Sequence, residues 1–582
     1  MRALIQTLIF PAFMICLAAA VLLVPVTLIG TSDGARWVMA ALFLLVGWSG
    51  IRRETITFDR LDFFLLLPMI WAIFSAYRSP DPNSAALVML HMTAALLIVY
   101  WFRKANFPCD AKNVSLFASA VLAALFVLAF IEPTRHGGYG NENFLVEIEL
   151  ALTGPAMLGL AILSGPMRMI PVAVALMAIH HFVFINVSNF EWLALPVIAA
   201  VALPLALWPT RPKARLIAWA GLAFVGLAFF ACIAADLPIR SVGTRAGLWL
   251  NTAELIRSAP WTGHGTGSFE WLYPLVQDKW HGIGPVVFLI GGFTTVGAAH
   301  NELLQTIAEY GLTGLVLALC PLSIVLVAFL RHKRPSTLEI AALLALAGLL
   351  VPAMIEFPLQ KPATIFVAAA AFGILSRRAG RTPRLVIDGA PAKLAAIVAP
   401  LAAFLLLIVF LFHFLALVEF NKARHYTQLN PKLAFERHLA ATDLFPLDAR
   451  IRMRLMHTYS KWHLSTLYID GTDAHNPLLA PVTAERVYHM SADAMPMYSE
   501  PHLLWVRYLD MSGLWRARKD EIEEILSRFT AQTPFDPAVW LAEAIHASVI
   551  GDTARLQKAV ETGLALPNVS ADQRDNFKRL RP

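Results

Sequence analysis

Apolar segments of bilayer-spanning length recur through the first 418 residues, and no water-soluble globule can bury so many. A span takes roughly 17 to 25 predominantly apolar residues. Runs near that length lie at 4–29, 37–51, 61–76, 84–102, 114–132, 145–164, 169–187, 192–208, 216–235, 312–330, 339–355, 363–376 and 394–418. The chain of 582 residues is 58% hydrophobic and 15% charged, against about 25% charged in ordinary soluble domains. The pattern predicts an all-α, polytopic membrane helix bundle of about twelve to thirteen spans, because a spanning helix satisfies its own backbone polar groups.

Lys and Arg set the expected orientation, since cytoplasmic loops retain them. With the N-terminus inside, cytoplasmic loops hold Arg52, Arg53 and Arg60, then Arg103, Lys104 and Lys112, then Arg168, then Arg211, Lys213 and Arg215. Arg331, Lys333 and Arg334 follow, and Arg377, Arg378, Arg381, Arg384 and Lys393 complete the series. The opposite short loops hold only Arg36, Arg78, Arg135 and Lys361. This bias places residues 236–311, and everything after 419, on the extracytoplasmic side. Ala18-Ala19-Ala20 resembles a signal-peptide cleavage site, but the apolar run continues past it, so the first segment reads as a retained span. Cys16, Cys109, Cys232 and Cys320 form no CxxC pair and no disulfide framework. The net charge of +7 is accounted for by the cytoplasmic loops facing anionic lipid head groups, so no nucleic-acid partner is implied.

Four regions result: an N-terminal transmembrane bundle over 1–235, a large extracytoplasmic loop over 236–311, a second transmembrane bundle over 312–418, and an extracytoplasmic soluble tail over 419–582. In the tail, apolar residues return at helical spacing over 449–459, 503–514, 521–529 and 538–550. Pro446, Pro496 and Pro534 each fall just before an expected helix and after the one preceding it, as in stacked helical hairpins. Gly551-Asp552-Thr553-Ala554-Arg555-Leu556 reads as the turn and start of a degenerate tetratricopeptide unit. The repeat spacing is irregular, and a stabilising cap or a binding surface would both suit such a tail.

Polar groups gather in the loop as nowhere in the flanking spans: Arg240, Arg245, Asn251, Glu254, Arg257, His264, Lys279, His281, His300, Asn301, Glu302 and Glu309. Histidine titrates nearest neutrality, so His300 is the candidate proton acceptor. Gly263-His264-Gly265-Thr266-Gly267-Ser268 lets backbone approach closely, either as a plain turn or around an anion, and it lacks the Gly-Lys-Ser/Thr ending of a P-loop. Residues 285–293 are apolar but too short to span, as in a re-entrant or interfacial segment. His180 and His181 point about 100° apart on a helix and make no metal pair. Glu147 and Glu149 fall early in a span, where a carboxylate suggests a wet vestibule.

Three segments of this loop resemble those of the O-antigen ligase and polymerase superfamily of bacterial inner-membrane glycosyltransferases. Arg245-Ala246-Gly247-Leu248-Trp249 is similar to its arginine motif, Ala259-Pro260-Trp261-Thr262-Gly263-His264-Gly265-Thr266-Gly267-Ser268-Phe269 to its Pro-x-x-Gly-x-Gly-x-Gly segment, and His300 with Gly311 to its His-x10-Gly spacing. Upstream, Gly138-Tyr139-Gly140-Asn141-Glu142-Asn143 is similar to its Gly-x-Asn-x-Asn turn. The resemblance covers about 137–375. It implies transfer of a glycan from undecaprenyl diphosphate to a periplasmic hydroxyl acceptor, with neither nucleotide sugar, metal nor other cofactor. His300 would then be the catalytic base, Arg245 and Arg240 would hold the diphosphate, and Asn301, Glu302, His264, Asn141 and Asn143 would support them. The acceptor would be lipid A core, a protein serine or a growing polysaccharide. The span at 394–418, beyond the twelve usual in the ligases, the tail, Trp249 and Ile355-Glu356-Phe357-Pro358-Leu359 resemble the oligosaccharyltransferase and polymerase branches more. A lipid-linked glycan flippase is the alternative, although no repeat relates the two halves as transporters often show.

Overall fold

A buried ion network ties together the first long helices and shows how the chain begins to order itself. Asp59 and Asp62 form a capping box at the start of a helix over Arg60–Tyr77. Arg103 and Lys104, at the end of Pro82–Lys104, reach back to them: Arg103 pairs with Asp59 and lies 3.0 Å from Asp62, and Lys104 lies 3.0 Å from Asp62. Acidic groups thus sit at one helix N-terminus and basic groups at the neighbouring C-terminus, each complementing the local helix dipole.

The structure is a computed structural model that describes residues 10–24, 32–49, 55–104, 110–131, 142–180, 240–276, 296–331, 335–350, 352–379, 385–469, 481–566 and 569–581. The main helices of the first half are α1 (Phe10–Leu23), α2 (Ser32–Ser49), α3 (Arg60–Tyr77), α4 (Pro82–Lys104), α5 (Ala111–Ile131), α6 (Glu142–Met157), α7 (Met169–His180) and α8 (Arg240–Ser258). They are followed by α9 (Glu302–Arg331), α10 (Thr337–Leu350), α11 (Pro362–Ser376) and α12 (Gly389–Tyr426). Six helices among the described residues are long and apolar enough to cross a membrane: α3, α4, α5, α9, α12, and α10 with its continuation to Ile355. Others of the expected spans appear as shorter apolar helices, such as α1 and α11. Those expected at 192–208 and 216–235, and the apolar segment 285–293, lie outside the described residues. One departure from an all-helical chain is a two-stranded antiparallel ribbon, β1 (Thr55–Phe58) with β2 (Leu385–Asp388), which joins the approach to α3 to the start of α12.

Two apolar clusters hold the bundle. In one, α5, α6, α10 and α11 bring together Leu122, Leu125, Ile148, Ala151, Leu344 and Ala371. The other joins α1, α2, α4, α11 and α12 through Val21, Leu44, Trp101, Phe366 and Phe410. Small residues let helices approach closely, as expected where lipid is no less apolar than the helix faces. Gly348 of α10 lies against Leu150 of α6, where a Cβ would stand 2.4 Å from the Leu150 carbonyl oxygen.

Helix α12 runs for 38 residues, about 57 Å at 1.5 Å per residue, beyond the roughly 30 Å of a hydrocarbon core. Its far end carries the tail. There α13 (Pro431–Leu444), α14 (Leu455–Ile469), α15 (Pro481–Ala492), α16 (Ser499–Met511), α17 (Lys519–Gln532), α18 (Pro537–Ile550), α19 (Thr553–Ala565) and α20 (Ala571–Arg579) pack as consecutive pairs. The three proline turns fall between helices as the sequence leads one to expect, and two end on capping aspartates. Asp448 accepts from the Arg450 amide and Asp536 from the Ala538 amide, each at 2.9 Å. Ala416, Ala441, Phe445 and Ile451 bury the junction between α12 and the tail.

Candidate active site

The helix that follows His300 is broken, and the break positions everything around it. Asn301 caps α9, its side-chain oxygen accepting from the Leu304 amide at 3.0 Å. Nine residues into α9, Gly311 has φ 70° and ψ 179°, a conformation open essentially to glycine. Residues 259–265 cross this break. The Pro260 and Trp261 carbonyls accept from the Leu312 and Thr313 amides, while the His264 and Gly265 amides donate to the Ala308 and Glu309 carbonyls. A Cβ on Gly311 would stand 2.2 Å from the Trp261 oxygen, and one on Gly263 would stand 2.4 Å from the Glu309 carbonyl. The glycine-rich segment is therefore a backbone-on-backbone joint. Its Gly267 amide donates to Glu309 Oε2 at 2.9 Å, so these groups satisfy the fold and not an anion.

His300 itself has φ 49°, a left-handed conformation uncommon for a residue with a side chain and found often at functional sites. Trp249 Nε1 donates to its carbonyl at 3.2 Å. Its imidazole Nδ1 lies 2.7 Å from Glu356 Oε2, and the other oxygen of Glu356 accepts from the Arg245 guanidinium. Glu356 is buried, with its side chain 1% exposed. Burial alone would push its carboxyl up, but the hydrogen bond with His300 and the charge of Arg245 hold it below the usual carboxylate range. Among the described residues His300 Nε2 has no hydrogen-bond partner, and the ring lines a cavity of about 1620 Å³.

This cavity exceeds the roughly 300 to 1,000 Å³ of common small-molecule pockets. One part of its lining is apolar, with Leu322 and Leu326 of α9, Leu343 and Leu346 of α10, and Ile365 and Phe372 of α11. The other is polar, with His300, Glu302, Lys361, Asp33, Glu270 and Arg450. Lys361 is linked to His300 through Phe357, whose ring centroid lies 4.9 Å from the imidazole and 5.1 Å from the Lys361 ammonium. Burial presses the Lys361 amine below its usual range, against Asp33 and Glu147, which favour its charge, and with Arg450 and Arg36, which oppose it.

The expected site residues divide accordingly. His300 and Glu302 line the cavity; Glu302 accepts from the Leu359 amide at 2.8 Å, which clamps the turn that follows Glu356. Asn301 donates to the Met354 carbonyl at 2.9 Å and so fastens the same turn from its other side. Arg245, expected on the diphosphate, is instead held behind the imidazole by Glu356, with its side chain 11% exposed and outside the cavity lining. His264 is not beside His300: its Nε2 lies 2.9 Å from Ser258 Oγ and from the Leu255 carbonyl, at the end of α8. Glu147 and Glu149 are wholly buried and do not line the cavity, contrary to the vestibule expected for them. Arg240 opens α8 and Asn143 lies in the first turn of α6, but their side chains, like all of Asn141, His181, Lys279 and His281, lie outside the described residues. Glu356 and Arg450 were not anticipated as site residues. A lone acid in the apolar setting of Ile355-Glu356-Phe357 is the signal that marks the first; nothing local marks the second.

Comparison of the sequence with protein-family models and with curated proteins gives no match.

Proposed function

We propose that this chain is a membrane glycosyltransferase of the O-antigen ligase and polymerase type, moving a glycan from undecaprenyl diphosphate to a hydroxyl acceptor at the periplasmic face of a bacterial inner membrane. The observation that carries the reading is the Arg245–Glu356–His300 array, whose histidine lines a cavity that is apolar along α10 and α11 and polar around Lys361. A polyprenyl tail suits the first surface and a diphosphate-linked sugar the second.

In the step proposed, the Nδ1–H of His300 donates a hydrogen bond to Glu356, which fixes the tautomer and leaves the Nε2 lone pair to receive a proton. The acceptor hydroxyl attacks the anomeric carbon, its proton passes to Nε2, and the bond from that carbon to the diphosphate oxygen breaks with its electron pair leaving on undecaprenyl diphosphate. Arg245 keeps Glu356 ionised and oriented. Lys361, on the cavity surface, stabilises the charge that grows on the leaving group. The tail is read as a periplasmic, tetratricopeptide-like domain.

Mass spectrometry of undecaprenyl-linked glycans tests this in a deletion strain of the native host with and without the wild-type gene. Long lipid-linked chains accumulating in the deletion mean a blocked transfer to a final acceptor. Single repeat units without longer chains mean lost polymerisation. An unchanged profile in a host with no second transferase of this kind contradicts the reading.

A further inference from the structure

The cavity wall supplied by the tail has no part in the transfer step described above. Arg450, two residues after the capping Asp448, places Nε and Nη2 2.9 Å from Glu270 Oε2. Asp448 is tied to the bundle by His413 Nε2 at 3.0 Å, and Trp271 packs into Ala449, Met453 and Met495, so the tail is fastened to α12 and to the loop beside Glu270. Arg450 Nη1 and Glu270 Oε1 have no hydrogen-bond partner among the described residues, and both side chains line the cavity. A Cβ on Gly297 would stand 3.5 Å from Arg450 Nη2 and 3.9 Å from Glu270 Oε1. Gly297 precedes His300 by three residues, at most about 11 Å of chain.

A guanidinium only donates hydrogen bonds and a carboxylate only accepts them, whereas a sugar hydroxyl does both. A paired arginine and glutamate therefore suit neighbouring hydroxyls of a pyranose, and their near-zero net charge gives them little hold on a diphosphate. We propose that Arg450 and Glu270 form a saccharide subsite, by which the tail grips the glycan of the lipid-linked substrate close to His300. The inference rests on the glycosyl-transfer reading and makes the tail a part of the binding site.

The test uses the full chain in nanodiscs and two probes: bare undecaprenyl diphosphate, and the glycan-bearing lipid purified from the deletion strain. Wild-type protein is expected to bind the glycan-bearing lipid at least about tenfold more tightly, a difference of about 1.4 kcal/mol. Arg450→Ala and Glu270→Gln should bring that ratio to within about twofold of unity while leaving affinity for the bare lipid unchanged. Arg450→Lys, which keeps the charge and loses the fork, should fall between them, and melting temperatures check that each variant is folded. A ratio preserved in folded Arg450→Ala and Glu270→Gln overturns the subsite and leaves the transfer reading intact. Wild-type protein that binds neither lipid overturns both.

Discussion

At the residue scale, the site turns on one buried carboxylate. Glu356 touches both Arg245 and the imidazole of His300, yet it lies 56 positions beyond the histidine in sequence. Glutamine at this position keeps the shape and can still accept from Nδ1. Being neutral, it neither enforces that tautomer nor stabilises the imidazolium that forms. Glu356→Gln is therefore expected to lower kcat of glycan transfer by at least about 100-fold while KM changes by less than about threefold. Steady-state kinetics on reconstituted protein measure both, and a variant with wild-type kcat would remove Glu356 from the account. His300 was legible because its type and its distance from Gly311 are local facts. Its partner was not, because a contact made by folding leaves no spacing to read. Arg245 was singled out by its segment, but its pairing with Glu356 was not: the sequence offers a cation, and only the packing of α8 against the start of α9 decides which side chain it meets.

At the element scale, the broken helix α9 sets the distance from His300 to Gly311. The cap at Asn301 starts the helix and Gly311 interrupts it where residues 260–262 cross, so the interval between them is a fixed length of helix. Gly311→Ala adds a Cβ 2.2 Å from a carbonyl oxygen in a conformation that strains any side chain by about 1 to 3 kcal/mol before the clash is counted. We expect it to lower the melting temperature by several degrees or to abolish monodisperse protein in size-exclusion chromatography; wild-type behaviour would mean the crossing is misplaced. The glycine-rich segment could be read from sequence as a turn or as an anion cradle. The destination of its amides decided for the turn.

In the tail, burial depresses His438 to about 4, opposed by its hydrogen bond to the Ile451 carbonyl and aided by His457 and Arg454. The unfolded chain binds the proton more readily across that interval. The stability owed to the neutral imidazole is therefore full above the unfolded pKa of about 6.5 and is lost as pH falls towards 4, by a total on the order of 3 kcal/mol. His438→Asn cannot titrate, so thermal melts at about pH 7 and about pH 5 should show a smaller drop than in wild-type protein. Equal drops would mean that His438 is solvated.

At the scale of the whole molecule, the bundle was legible because the bilayer imposes a length and a composition on every span. Pairings across the chain were not, such as β1 with β2, His413 with Asp448, or Arg450 with Glu270. The first and third join elements separated by intervening spans, and the second joins residues separated by the end of α12 and by α13. The tail was visible as helical from its spacing, but its place in the cavity wall depends on α12 carrying it back over the loop. What the assembled molecule amounts to is a large cavity with a histidine in its wall, oriented from behind. In the proposed reaction this histidine takes the acceptor's proton as the glycan leaves its lipid. Release of undecaprenyl diphosphate from purified lipid-linked glycan and native acceptor membranes, followed by mass spectrometry, tests it most directly. The wild-type chain in nanodiscs is expected to release undecaprenyl diphosphate, and His300→Ala to lose at least about 1,000-fold of that rate, with binding of the lipid-linked glycan retained. Release at the wild-type rate from His300→Ala would contradict it.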